Sequence, residues 1–484
     1  MPAFVQFGPV AIDPDDLETC LRVLAAVEAL PPEHDDAAAV RRATAGIYKQ
    51  VRKRRRAERQ QAVRAADNAV VAATATGAPG RIDDETEGLP LRSNATGASA
   101  GVLIQARPCY VCKQRYQVVD AFYHQLCPDC ARHHHERRTA RTDLTGRRAL
   151  LTGGRAKIGM YIALRLLRDG AQTTITTRFP RDAARRFAAM DDSADWLHRL
   201  RIVGIDLRDP AQVVALADSV AGQGPLDILI NNAAQTVRRA PEAYGPLVAA
   251  EAETLPEALE QSIVTFGPEP TKVLAAQAGE PATDHWAPTP RALVAQALVA
   301  RSASPEKIAD GTAIDAGGLV PDLQAVNSWI QVVDEVEPTE MLEVQLCNVT
   351  APFILVSRLR ASLAATQARR SYVVNVSAME GQFGRGYKGP GHPHTNMAKA
   401  ALNMLTRTSA GELLSDGILM TSVDTGWITD ERPHPTKMRL ADEGFHAPLD
   451  LVDGAARVYD PIVRGEAGED LHGCFLKDYE PSPW

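Results

Sequence analysis

Four cysteines form two closely spaced pairs in the first third of the chain. Each pair has the spacing Cys-x-x-Cys, and the members are Cys109, Cys112, Cys127 and Cys130. Thiolates on two such tight turns make a closed tetrahedral site, so the spacing predicts structural zinc. A redox-active pair or a disulfide is the alternative, and His124, between the pairs, is an alternative fourth ligand.

A glycine-rich turn follows the cysteines. It stands between the apolar run RALL and the amphipathic segment MYIALRLLRDG, and it reads Thr152-Gly153-Gly154-Arg155-Ala156-Lys157-Ile158-Gly159. Glycines in such a turn let the backbone approach a diphosphate at the positive end of a helix. The turn therefore predicts a dinucleotide site.

Further motifs follow the turn in a fixed order. They are Asp206-Leu207, Asn231-Asn232-Ala233-Ala234, Asn348, NVSAMEG, Lys399 and VDTGWIT at 423–429. Together with the turn they resemble the short-chain dehydrogenase/reductase family over residues 145–484. The resemblance implies that these residues bind a dinucleotide: Thr152, Gly153, Arg155, Lys157, Ile158, Gly159, Thr177, Arg178, Asp206, Leu207, Asn232, Ala233, Ala234, Lys399, Thr425, Gly426, Ile428 and Thr429.

The end of the second predicted strand indicates which dinucleotide binds. An acidic side chain there would hold the ribose hydroxyls of NAD, but the chain has Thr176, Thr177 and Arg178. An arginine can bind a 2'-phosphate bidentately, so we expect NADP(H), with Arg178 and Arg155 as its ligands. The alternative is that Arg178 is a solvated surface residue.

One position of the turn departs from the family. Lys157 stands where the family has its middle glycine. Its ammonium either contacts a phosphate or is the exposed first residue of a helix.

The resemblance also implies four catalytic positions, of which two are retained. Lys399 and Asn348 match the family's lysine and asparagine, whereas Thr395 replaces its tyrosine. Ala378 falls where the family has its serine, and Ser377 precedes it. An aliphatic hydroxyl is too weak an acid to replace a phenol.

Substitute proton donors lie in the segment GRGYKGPGHPHTN. We predict that Tyr387, His392 or His394 supplies the proton, since a tyrosine or a histidine titrating near neutrality could do so. The alternative is that these are ordinary loop residues and that the domain transfers no hydride.

The elements that must position these residues alternate in type from residue 147 onward. The predicted strands are RALLTGG, AQTTITT, LRIVGIDL, LDILINNAA, SYVVNVS and ILMTSVDT, most of them followed by a helical segment. This pattern predicts a Rossmann-like α/β fold with a doubly wound parallel sheet. We divide the chain into a helical region (1–75), a linker (76–104), a zinc module (105–142) and the dinucleotide domain (143–484), with a helical insertion at about 236–326 that contains no strand and covers the substrate.

Composition limits the remaining function classes. A formal charge of −7 on 484 residues favours neither nucleic acid nor an acidic membrane surface. The basic run at 52–56 has no interleaved aromatic residues, so a solvated helix face is expected rather than a nucleic-acid site. No apolar run is long enough to span a bilayer, and we expect a cytoplasmic protein. The resemblance implies a homo-oligomer.

Two functions of different classes follow. The first is an NADP(H)-dependent oxidoreductase acting on an unidentified carbonyl or alcohol with a non-standard proton donor. The second is a catalytically degenerate dinucleotide-binding scaffold or redox sensor that acts through a protein partner.

Overall fold

The structure is a computed structural model that describes residues 12–31, 33–79, 81, 91, 94–239, 241–266, 315, 318–321, 325–384, 386, 388–428 and 431–484. The chain divides into two compact units, Met1–Ala69 and Val70–Trp484. The first unit contains α1 (Pro14–Glu28) and most of α2 (Asp35–Ala72). The Asp13 side chain caps α1 by accepting a hydrogen bond from the Asp15 amide.

The second unit begins with a small module that carries the four cysteines. Its elements are an antiparallel ribbon of β1 (Ser99–Pro108) and β2 (Arg115–Asp120), and helix α3 (Pro128–Thr139). β1 begins inside the segment that we expected to be a linker, so that boundary was wrong. The polar, glycine-rich composition of residues 76–104 does not indicate a strand. β1 forms there because it pairs with β2 and because Leu103 is buried.

A nine-stranded sheet forms the centre of the second unit. Its strands are β3 (Arg148–Leu151), β4 (Gln172–Thr177), β5 (Leu200–Gly204), β6 (Ile228–Asn231), β7 (Ile263–Thr265), β8 (Ser371–Ser377), β9 (Ile418–Asp424), β10 (Phe475–Lys477) and β11 (Glu480–Ser482). Their order is β11-β10-β9-β8-β6-β3-β4-β5-β7, and all pairs are parallel except the β10–β11 hairpin. The predicted Rossmann-like fold is confirmed.

Helices cover both faces of the sheet. They are α4 (Lys157–Arg168), α5 (Pro180–Ala188), α6 (Pro210–Gly222), α7 (Gly245–Ala252), α8 (Glu257–Glu260), α9 (Pro338–Gln345), α10 (Ala351–Ala364), α11 (Pro393–Leu414), α12 (His434–Asp442) and α13 (Leu451–Glu466). A π-helical turn, Leu346–Thr350, joins α9 to α10. One apolar core packs α4, α5 and α13 on one face, and a second packs α6, α10 and α11 on the other.

The six predicted strands are all present, but the insertion differs from expectation. It contains β7, which adds to the edge strand β5. A strand of three residues is too short to show periodicity in the sequence. Residues 267–314 of the predicted insertion lie outside the described residues. Within the described part of the chain, no helix combines the length and the apolar character needed to cross a membrane.

Candidate functional site

The glycine-rich turn lies at the carboxyl edge of the sheet, between β3 and α4. Gly153 has a φ of 72°, which glycine adopts without strain. A Cβ on Gly159 would overlap the carbonyl oxygen of Gly153, so only glycine fits at that position. The turn is thus shaped by two positions that exclude side chains.

Hydrogen bonds join the turn to the end of β6. The Thr152 hydroxyl accepts from the backbone amides of Asn232 and Ala233, each at 3.0 Å. The Asn232 side chain donates to the carbonyls of Thr152 at 3.0 Å and Gly153 at 3.1 Å. These bonds fix the crevice between β3 and β6, where strand order reverses and where open α/β sheets bind ligands.

A cleft of about 390 Å³ opens above this edge. Most of the predicted dinucleotide ligands line it: Gly153, Arg155, Lys157, Ile158, Gly159, Thr177, Arg178, Asp206, Leu207, Asn232, Ala233 and Ala234. Among its described lining residues, five carry a positive charge (Arg155, Lys157, Arg178, Arg208 and Arg239) and three a negative charge (Asp206, Asp315 and Glu431). The excess of positive charge suits a polyanionic ligand.

Arg178 and Arg155 differ in the partners of their guanidinium groups. Arg178 donates to the Tyr244 hydroxyl at 3.3 Å and lies over the rings of Tyr244 and Phe179, with no ion pair to a described carboxylate. Arg155 forms an ion pair with buried Asp182 at 2.6 Å. Arg178 is therefore the better placed of the two to meet an added phosphate.

Lys157 occupies the turn with an unusual backbone. Its φ is 52°, in the left-handed region that favours glycine, and it begins α4. Its ammonium lies 3.7 Å from a carboxylate oxygen of Glu431 at the rim of the cleft. Lys157 is partly exposed and lines the cleft together with Glu431.

Asp206 lies where the resemblance places contacts to adenine. Its carboxylate pairs with Arg208 at 2.6 Å. Burial alone would raise the pKa of Asp206, but the hydrogen bonds and charge of Arg208 outweigh it and lower that pKa. Arg208 also binds Glu343 at 2.8 Å.

The two retained catalytic positions make hydrogen bonds to backbone. The Lys399 ammonium donates to the Val376 carbonyl at 2.8 Å, and burial lowers the pKa of Lys399 to about 8. The Asn348 side chain accepts from the Gln235 amide at 2.7 Å and donates to the Gln235 carbonyl at 2.9 Å. Asn348 thereby attaches the π-helical turn to the segment after β6.

At the positions that depart from the family, Thr395 and Ser377 are buried and Ala378 is half-buried. Thr395 donates its hydroxyl proton to the His392 carbonyl at 2.9 Å, one turn back along α11. The Ser377 hydroxyl is buried at the end of β8 and has no hydrogen-bond partner among the described residues. Ala378, next to it, has no polar side-chain atom.

The predicted proton donors lie in different environments. The His392 ring stacks on Trp329, with centroids 4.1 Å apart, and its Nδ1 lies 2.8 Å from the Trp329 carbonyl oxygen. His394 is buried, with Nε2 3.9 Å from Glu340, and burial lowers its pKa. Tyr387 lies outside the described residues.

The loop after β9 carries the last predicted dinucleotide contacts. Gly426 has a φ of 78°, and its amide donates to Oδ1 of Asp424 at 3.2 Å. Thr425 is half-buried and Ile428 is buried, whereas Thr429 lies outside the described residues. Burial raises the pKa of Asp424 to about 6.

The four predicted metal ligands come together in space. Their Sγ atoms all lie within 4.8 Å of one another, and those of Cys112 and Cys127 are 3.7 Å apart. Tetrahedral zinc with bonds of about 2.3 Å needs sulfurs roughly 3.8 Å apart, so the cluster fits the ion. His124 is buried against Thr76, with its Nδ1 2.8 Å from the threonine hydroxyl, and takes no part in the cluster.

Crowding of the thiols perturbs their protonation. Burial and the neighbouring thiols raise the pKa of Cys130 and of Cys127. Although burial opposes it, hydrogen bonds lower the pKa of Cys112. A divalent cation would relieve this repulsion by stabilising all four thiolates.

Some residues of the cleft were missed in the sequence analysis. Tyr244, Arg208 and Glu431 all line it. Arg208 follows Asp206 by two residues, so proximity could have indicated it. Tyr244 and Glu431 come from an insertion and a loop that carry no family motif, so no sequence signal could have found them.

The doubly wound sheet, with its glycine-rich turn and its cleft at the carboxyl edge, defines a domain with a Rossmann-like fold. Residues 147–251 match the family described as short chain dehydrogenase. The match covers 105 of the 484 residues, all within the part of the chain that forms the sheet.

Relatives extend the similarity to different degrees. An uncharacterized protein of Acanthamoeba polyphaga mimivirus is 29% identical over 374 residues, which cover 74% of this chain and 71% of that protein. A Streptomyces antibioticus protein named "Probable oxidoreductase" is 41% identical over 91 residues, which cover 19% of this chain and 30% of that protein. The aligned part thus spans less than a third of the Streptomyces protein.

Solved structures to which the chain is similar include several with a bound dinucleotide. The NADPH-bound carbonyl reductase from chicken fatty liver is 18% identical, with a TM-score of 0.42, over 70% of this chain and 100% of that one. The Pseudomonas aeruginosa RhlG/NADP active-site complex is 18% identical, with a TM-score of 0.42, over 69% of this chain and 94% of that one.

Proposed function

We propose that this chain is an NADP(H)-dependent oxidoreductase of the short-chain dehydrogenase type that acts on a carbonyl or alcohol substrate. The observation that carries the proposal is the positively charged cleft at the carboxyl edge of the sheet, lined by the glycine-rich turn and by Arg178. The backbone of the turn would bind the diphosphate at the start of α4.

The choice of NADP(H) over NAD(H) is supported by the end of β4. Arg178 has no ion pair to a described carboxylate, and the aromatic rings of Tyr244 and Phe179 hold its guanidinium at the cleft. No acidic side chain ends β4, so the strand end itself carries no carboxylate that would repel a 2'-phosphate.

The reaction divides between the dinucleotide and the chain. When bound, the dinucleotide supplies or accepts the hydride. Lys399 would hold the sugar next to the reactive ring of the dinucleotide. Because its pKa is lowered to about 8, part of its ammonium loses its proton just above neutral pH. Tyr387, His392 or His394 would exchange the proton of the substrate oxygen with solvent. Burial lowers the pKa of His394, which favours its neutral form and suits a base better than an acid.

Zinc in the cysteine cluster is part of the proposal. Cys109, Cys112, Cys127 and Cys130 would hold it with no open position, so it would stabilise the module and would not activate water. The sulfur separations support this assignment.

A second function is favoured by the catalytic positions. Lys399, Asn348 and Thr395 all bind backbone groups. This arrangement suits a scaffold or redox sensor that binds the dinucleotide without turnover. A protein that binds NADPH but oxidises it with no member of a carbonyl panel would favour this second function.

Calorimetric titration with NADPH and NADH tests the first function. We expect tighter binding of NADPH and, in Arg178→Ala, a loss of NADPH affinity of roughly 10- to 100-fold with NADH unchanged. Arg181→Ala is the matched control, because its guanidinium binds Glu251 and Glu260 instead. Equal affinity for both dinucleotides, or an Arg178→Ala protein that binds NADPH like its parent, would contradict the proposal.

A further inference from the structure

The loop after β9 is held by the cysteine module. Tyr110 lies inside the first Cys-x-x-Cys turn, and its hydroxyl accepts a hydrogen bond from the Trp427 amide at 3.0 Å. The backbone beside Gly426 is thus fixed by a residue between two predicted zinc ligands.

Apolar packing joins the same two regions. Tyr123, Leu126 and Ala131 of the module form one buried cluster with Ile428, Leu449 and Leu451. Ile158 of the glycine-rich turn packs against this cluster. The module therefore supports both sides of the predicted diphosphate site, the turn before α4 and the loop after β9.

A polar chain makes a third connection. The Nδ1 of His134 lies 2.9 Å from the Cys130 carbonyl oxygen, and its Nε2 lies 3.0 Å from Nη2 of Arg457. Arg457 is buried, donates to Asp478 at 2.6 Å, and its Nη1 fills the space into which a Cβ on Gly426 would project. The guanidinium thus limits where the loop can lie.

Metal binding would determine whether the glycine-rich turn before α4 and the loop after β9 are ordered. The module's own core is small: the buried residues Val71, Leu103, Cys109, Tyr116 and Val119. A core of this size contributes little stability alone, so metal affinity in such a module is largely folding free energy. Loss of the ion would release Tyr110 and the carbonyl of Cys130 together.

We propose that the cysteine module positions the dinucleotide loop, so that zinc and NADP(H) bind this chain cooperatively. The proposal rests on the proposed function. Tyr110, His134 and Arg457 are positioning residues, since each acts through the 425–428 backbone. Coupling of this kind is reciprocal: zinc raises NADPH affinity by the factor by which NADPH raises zinc affinity.

The experiment uses the full-length chain with zinc and NADPH as probes. NADPH affinity is measured by calorimetry on zinc-loaded and chelator-treated protein. Zinc affinity is measured with a chromophoric chelator, with and without saturating NADPH. We expect both affinities to change by the same factor, roughly 10-fold or more. Equal NADPH affinity with and without zinc would overturn the proposal.

A matched pair of variants keeps the test valid if chelation unfolds the module. In zinc-loaded Tyr110→Phe we expect NADPH affinity to fall about 5-fold while the zinc content stays at one ion per chain. Tyr116→Phe is the control, because its hydroxyl donates to the His124 carbonyl inside the module. Identical NADPH affinities in the two variants would overturn the proposal. A parent chain that binds zinc but no NADPH would instead contradict the proposed function.

Discussion

Asp424 is a buried carboxyl at the end of β9, and its Oδ2 has no hydrogen-bond partner within the described part of the chain. Burial raises its pKa to about 6, against about 3.9 in a free peptide. The folded state keeps a proton between about pH 4 and 6 that the unfolded state has lost, so stability falls as the pH rises through this range. At pH 8 we expect the free energy of unfolding of Asp424→Asn to be roughly 1–3 kcal/mol higher than that of the parent.

Urea unfolding at pH 4.5 and pH 8 measures this difference, which should shrink at the lower pH. For Asp182→Asn we expect a change in the free energy of unfolding of the opposite sign. Burial opposes ionisation of Asp182, but the charges of Arg186 and Arg155 outweigh it and lower its pKa. Asp182→Asn should therefore destabilise the protein at pH 8. An Asp424→Asn protein less stable than its parent at that pH would refute the assignment.

The individual residues that the sequence could predict are those with a backbone or motif requirement. Gly153 and Gly159 are recognisable because no other residue fits their conformation or their space. The raised pKa of Asp424 could not be predicted, because it depends on burial and on the distance to Arg457, which is set by folding. The same holds for the contact of Tyr110 with Trp427.

At the level of elements, the turn between β3 and α4 contains a non-glycine residue in a backbone conformation that favours glycine. Lys157 has a φ of 52°, and a side chain in the left-handed region costs about 1 kcal/mol. We expect Lys157→Gly to be about 1 kcal/mol more stable than Lys157→Ala, because both variants lose the ammonium near Glu431 and only glycine removes the strain. Thermal and urea unfolding of the two variants without dinucleotide measure the difference.

Comparison of Lys157→Ala with Lys157→Gly also separates the effect of backbone strain from that of helix propensity. At an ordinary helical position alanine is more stable than glycine by roughly 1 kcal/mol. An Ala variant at least as stable as the Gly variant would show that the left-handed conformation is not maintained in solution.

The success of strand prediction depended on strand length and burial. β8 and β9 are seven residues each and buried throughout, so their β-branched runs are visible in the sequence. β7, β10 and β11 have three residues each and depend on a neighbouring strand that already exists. Such strands follow from the tertiary fold, and propensity alone does not predict them.

For the second unit as a whole, buried ion pairs join the cysteine module to the sheet domain. Arg138 on α3 binds both oxygens of Asp450, at 2.6 and 2.7 Å, and Asp453 at 2.9 Å. The Tyr123 hydroxyl also donates to Asp453 at 2.6 Å. Because both carboxylates are buried at the start of α13, removal of their cation leaves charge without compensation.

We therefore expect Arg138→Ala to lower the free energy of unfolding of the zinc-loaded chain by roughly 3–5 kcal/mol. Calorimetry of the parent and the variant measures this loss. Arg132→Ala is the control: it breaks a pair with Asp129 that is mostly exposed, and such pairs contribute less than about 1 kcal/mol. Equal effects of the two substitutions would contradict the predicted contribution of the buried pairs with Asp450 and Asp453.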